Sequence, residues 1–152
     1  MNIYDAHKMA RQQMDENGLT DWSFKFDNAV RRFGQCSYRT KTISMSRVLT
    51  ELNNPLDVFD TIAHEIAHAL VGRGNGHNRV WQHKAIELGC NGRATYSGAT
   101  IAQPKPKFKS TCPNCGKTST GNARRNVACR MCCTKYNRGR YTIEYKLMWG
   151  RN

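Results

Sequence analysis

No stretch of this 152-residue chain approaches the roughly 18 consecutive apolar residues that a membrane-spanning helix needs. Its opening segment, MNIYDAHKMARQQMDENG, lacks the apolar centre of a secretory signal. Membrane and secreted classes are therefore not expected, and we expect a cytoplasmic protein, with nucleoid association allowed. Aromatic residues are few (9%) and hydrophobic residues make up 39%, which limits the chain to a modest core. Acidic residues are scarce as well, with 11 Asp and Glu against 24 Lys and Arg for a net charge of +13. No internal repeat is visible. What the chain does have is seven cysteines and five histidines. In a reducing compartment, clustered thiols point to metal before disulfide.

The charge is unevenly spread. Residues 1–96 carry twelve basic against ten acidic side chains, whereas residues 97–152 carry twelve basic ones against Glu144 alone. A short basic tail suits a polyanion, most often nucleic acid, or else it only solubilises the chain. The cations expected to meet nucleic acid are Lys105, Lys107, Lys109, Lys117, Arg124, Arg125, Arg130, Lys135, Arg138 and Arg140.

Pattern places the elements. Asn2 caps a first helix of about 14 residues that stops at Asn17-Gly18. Trp22, Phe24 and Phe26 alternate with polar residues, as in a strand. Gly34 suits a turn before a second extended stretch running from Cys36 through Tyr38 to Met45, and a short helical piece follows near residues 46–52. Asn54 and Pro55 then open a helix whose buried face is Phe59, Ile62, Ala63, Ile66, Ala67 and Leu70, ended by Gly72. A glycine-rich loop leads to another helix over residues 77–88. Two prolines within 97–109 mark a linker, so the expected units are 1–96 and 110–152.

His64-Glu65-Ile66-Ala67-His68 is an HExxH match on the best-defined helix. Histidines four apart lie one turn above another, so both imidazoles reach one ion. Glu65, rotated about 100° around the axis, sits beside that ion as a base. The chemistry expected is zinc-dependent peptide hydrolysis with Glu65 as general base. A catalytic zinc takes a third protein ligand, and His77, His83 and Glu87 are all candidates by spacing. The longer HExxHxxGxxH pattern fails, because Val71 and Gly74 stand where its Gly and His belong. The oxyanion stabiliser stays open among Arg73, Arg79 and His83.

From residue 31 to 89 the segments RRFGQCSY, ISMSRVL, VFDTIAHEIAHAL and GHNRVWQHKAIELG resemble the SprT-like zinc metallopeptidase family, the family of the DNA–protein crosslink protease Spartan. The resemblance implies an α+β, minigluzincin-like zincin domain with helices on a short sheet. It also implies His77 as the third ligand and Trp81 as a packing residue beside the site. By the same kinship the substrates are DNA-bound or DNA-crosslinked proteins.

Two CxxC knuckles, Cys112/Cys115 and Cys129/Cys132, stand thirteen residues apart and read as a four-cysteine structural zinc site in a small C-terminal ribbon, as SprT-like proteins often carry. Cys133 occupies the position where a glycine is usual and is either a spare thiol or a competitor of Cys132 as ligand. Cys36 and Cys90 are isolated, and Cys36 belongs on a strand near the histidine helix. Tyr141, Ile143, Tyr145, Leu147 and Trp149 alternate as a last strand. Two zinc ions per chain are expected, one catalytic and one structural. The rival readings are a non-catalytic, zinc-containing nucleic-acid-binding protein, and a peptidase of free proteins whose ribbon binds protein partners.

Overall fold

The first helix, α1 (Ile3–Glu16), starts where the Asn2 side chain accepts a hydrogen bond from the Tyr4 amide at 2.7 Å. It buries Ala6, Ala10 and Met14 at four-residue spacing, and Gly18 follows its end with φ 74°. The computed structural model describes residues 1–95 and 101–152. These fall into two units, Met1–Pro104 and Lys105–Asn152.

In the first unit, β1 (Ser23–Asp27), β2 (Gly34–Ser37) and β3 (Thr42–Ser46) form a sheet in the order β1-β3-β2. β1 runs parallel to β3, with Phe24 opposite Ile43, while β2 is an antiparallel edge strand with Cys36 opposite Ile43. The expected turn at Gly34 is not there. Gly34 opens β2, and the chain reverses at residues 38–41, where Lys41 takes φ 44°. The glycine answers to a neighbour across the fold rather than to a turn.

Ser46 caps α2 (Arg47–Leu52) through a 3.2 Å bond from the Leu49 amide. The long helix α3 (Pro55–Val71) begins with Asn54 accepting from the amides of Leu56 and Asp57, and Pro55 occupies its first turn. Every residue from Thr61 to Ala67 is buried, because α3 has partners on two sides. Val58, Ile62 and Ile66 join Met14, Ile43, Met45 and Leu49 in the main core, whereas Ala63 and Ala67 pack on Trp81, Ala85 and Cys90. Leu70, assigned to the buried face by periodicity, is exposed, because its neighbours Ala69 and Val71 take the two core-facing directions at this turn. Asn78 caps α4 (Arg79–Glu87).

Part of the expected linker belongs to this unit. Ile101 is buried in the core, and the Asn53 side chain brackets Ala102 with bonds of 2.7 and 3.0 Å to its amide and carbonyl. Residues 97–100 lie outside the described residues, and residues 108–109 already belong to a strand. Among the described residues no helix is long and apolar enough to cross a membrane.

The second unit is a small antiparallel sheet in the order β5-β4-β6, from β4 (Phe108–Thr111), β5 (Thr118–Gly121) and β6 (Met148–Arg151), with one helix, α5 (Arg130–Tyr136). Its core is Cys112, Cys129, Cys132, Cys133 and Tyr145. The single strand expected over 141–149 is broken by a 3-10 turn at Ile143–Tyr145. That turn rotates Tyr145 under the cysteines, pins its carbonyl to the Cys129 amide at 2.8 Å, and leaves Ile143 77% exposed.

Candidate metal centres

The spacing of His64 and His68 along α3 puts both rings on one side, and the Gly72–Gly76 loop returns the chain so that His77 meets them. The Nε2 atom of His77 lies 3.1 Å from Nε2 of His64 and 3.1 Å from Nε2 of His68. A ring nitrogen carries either a hydrogen or a lone pair, so His77 cannot serve both contacts as ordinary hydrogen bonds. One cation receiving three lone pairs resolves the conflict. Nitrogens about 2.05 Å from a tetrahedral ion stand about 3.3 Å from each other, close to the separations here. The Nδ1 atom of His64 is buried with no hydrogen-bond partner among the described residues, so the polar contacts of this ring run through Nε2. The residues fit zinc.

Burial, with the neighbouring imidazoles adding to it, pushes His64 down to about 4. His68 is brought to about 4 by the same causes. Both rings therefore present lone pairs at neutral pH. Trp81, 1% exposed, is the wall behind the cluster, with ring centroids 4.6 Å from His64, 5.2 Å from His68 and 4.6 Å from His77. His83 and Glu87 are not in the cluster. Both are exposed, and Glu87 pairs with Lys84 at 2.7 Å.

Glu65 is 7% exposed, and burial pushes its carboxyl up to about 7, against the opposing pull of Arg32 and of the Cys36 amide that faces it. A cleft of about 500 Å³ gathers Glu65 and the three histidines with Cys36, Tyr38 and Arg73. The Tyr38 hydroxyl donates to the carbonyl of His68 at 2.9 Å and lies 3.3 Å from that of Gly72, tying down the end of α3. Arg73 stacks over the Tyr38 ring at 5.9 Å. Of the oxyanion candidates, Arg73 lines this cleft and Arg79 and His83 do not. Sequence reasoning missed Tyr38 and Gly34. The available signal was the alternate spacing of Gly34 and Cys36, which puts both on one side of β2, with Tyr38 at the start of the turn that follows.

In the second unit Cys112, Cys115, Cys129 and Cys132 converge, all four Sγ atoms lying within 4.8 Å of one another. Cys112 and Cys132 are 3.7 Å apart, as are Cys115 and Cys129. Sulfurs about 2.3 Å from one tetrahedral zinc stand about 3.8 Å apart, whereas a disulfide is about 2.05 Å. Burial pushes the Cys112 thiol up, but the amides of Cys115 and Asn114 and the adjacent thiols outweigh it and bring Cys112 down to about 7. Cys133 is buried in the ribbon core outside this group, so Cys132 is the fourth member. All ten cations assigned to nucleic acid are exposed, and none has an acidic partner among the described residues. Arg124 lies over the Phe108 ring at 5.1 Å and Lys135 over Tyr136 at 5.0 Å.

Comparison with curated proteins gives no match. The model of the SprT-like family matches residues 3–103, a span holding α1, the whole three-stranded sheet, the histidine cluster and its Trp81 wall. That span is well over half of the chain, and the protein belongs to the SprT-like family.

Proposed function

We propose that this protein is a zinc-dependent endopeptidase that acts on DNA-bound or DNA-crosslinked proteins. The observation that carries the reading is a buried carboxylate, Glu65, in one cleft with three imidazoles whose Nε2 atoms converge. A purely structural site has no use for such a base. His64, His68 and His77 would hold the zinc, which when bound supplies Lewis acidity that acidifies water and polarises a carbonyl.

The remaining chemistry falls to the chain's own groups. Glu65 takes a proton from the attacking water as its oxygen bonds to the peptide carbon. It later returns that proton to the departing amide nitrogen as the C–N bond breaks. Trp81 shields the inner side of the imidazoles from water. Arg73, with no acidic partner among the described residues, faces the cleft where negative charge develops on the carbonyl oxygen.

DNA association is supported by the second unit, with ten exposed cations that have no acidic partner among the described residues and aromatic rings beneath two of them. The test is Glu65→Gln. It should keep its metal and its DNA affinity while cleavage of a DNA-bound protein falls by at least about 10²-fold. Persistent cleavage by that variant would overturn the assignment.

A further inference from the structure

We infer that β2 sets the position of the Glu65 carboxylate, with Gly34 as the positioning residue. The inference rests on Glu65 being the base. Gly34 does not have a positive φ, so backbone freedom does not explain a glycine there. Space does. A Cβ at Gly34 would lie 2.6 Å from Oε1 and 2.7 Å from Cγ of Glu65, and 2.9 Å from Cγ2 of Thr61. All three are closer than carbon tolerates. Neither neighbour can retreat cheaply, since Glu65 is 7% and Thr61 1% exposed.

The second contact comes from the same strand. Just before β2 the Phe33 carbonyl accepts from the Ser46 amide, so odd-numbered residues of the strand turn their polar groups toward β3. Alternation then directs those of Gly34 and Cys36 to the open edge, toward α3. The Cys36 amide faces the Glu65 carboxylate and favours its ionised form. One strand thus supplies an amide turned toward the carboxylate and a missing side chain that makes room for it. The three atoms nearest a Cβ at position 34 belong to Glu65 and Thr61 and none to an imidazole, so alanine there displaces the base first.

The test is a cycle of Gly34→Ala, Glu65→Ala and the double variant. In metal-free protein, Gly34→Ala should lower the melting temperature by about 4 °C or more. In the Glu65→Ala background at least half of that loss should vanish, because most of the colliding side chain is gone. In zinc-loaded protein, Gly34→Ala should keep the ion at the histidine site and keep KM, while kcat falls by roughly 10²-fold. Equal melting losses in both backgrounds, or a kcat within about twofold of the parent, would overturn the proposal. Should Gly34→Ala not fold, the double variant must fold, and failure of both also overturns it. If the parent protein cleaves nothing, the peptidase reading fails, while the melting cycle still decides whether β2 holds Glu65.

Discussion

Trp81 shows how much one side chain can decide. It is almost fully buried, touches all three imidazoles, and its indole N–H lies 3.4 Å from the His64 carbonyl. Trp81→Ala should cost about 3–5 kcal/mol in chemical denaturation and weaken zinc retention as well, whereas Trp81→Phe should keep most of both. Glu65 makes a prediction of opposite character. Its carboxyl is raised to about 7 from 4.5, so the folded, metal-free protein holds that proton longer than the unfolded chain does. The stability from this group is complete below the unfolded value and is lost as pH rises through the folded one. Glutamine mimics the protonated acid. Metal-free parent and Glu65→Gln should therefore melt alike near pH 4, and the parent should fall behind by pH 8, by no more than about 3 kcal/mol. His64 and His68 titrate in both proteins, so their contribution cancels in the difference.

At the level of elements, α3 carries the site and is fixed at both ends. Asn54 satisfies two amides at its start, and Asn54→Ala should cost about 1 kcal/mol in thermal or chemical unfolding. The far end matters more for function. There the His68 carbonyl accepts from the Gly72 amide at 3.1 Å and takes a second bond from the Tyr38 hydroxyl, which also lies 3.3 Å from the Gly72 carbonyl. The loop that begins at Gly72 delivers His77. Tyr38→Phe should cost about 1 kcal/mol and speed amide exchange in residues 72–77. Zinc affinity at the histidine site should fall while the four-cysteine site stays unchanged. Unaltered exchange in that loop would show that Tyr38 does not hold it.

At the level of the molecule, the two units differ in what holds them together. Residues 1–104 have an apolar core built on α1, α3 and the sheet, whereas the core of 105–152 is four buried cysteines and one tyrosine. Structural zinc is worth about 10–16 kcal/mol in finger-sized peptides, far more than such a core can supply. Metal analysis should find two zinc ions per chain, one of them lost on His64→Ala. A strong chelator should make residues 105–152 protease-sensitive while the helical circular dichroism of the first unit persists. DNA affinity should fall on the order of 10³-fold between 50 and 200 mM salt if six phosphates are contacted, and deleting 105–152 should remove most of it. A salt-insensitive affinity would point to a protein-binding ribbon instead.

The sequence by itself determined the features that depend on neighbours along the chain. The Asn2, Ser46 and Asn54 caps, the i,i+4 histidines and the two CxxC knuckles are local, and their chemistry follows from spacing alone. The choice of His77 over His83 and Glu87 came from resemblance, and the fold supplies its physical cause, a loop that closes the distance between two helices. Tertiary structure alone decided why Gly34 is a glycine, why Leu70 is exposed while the stretch from Thr61 to Ala67 is buried, and why Tyr145 leaves the alternation of its strand. Each answers to an atom brought near only by folding. Periodicity records how a segment sits on its own axis and is silent about what packs against it.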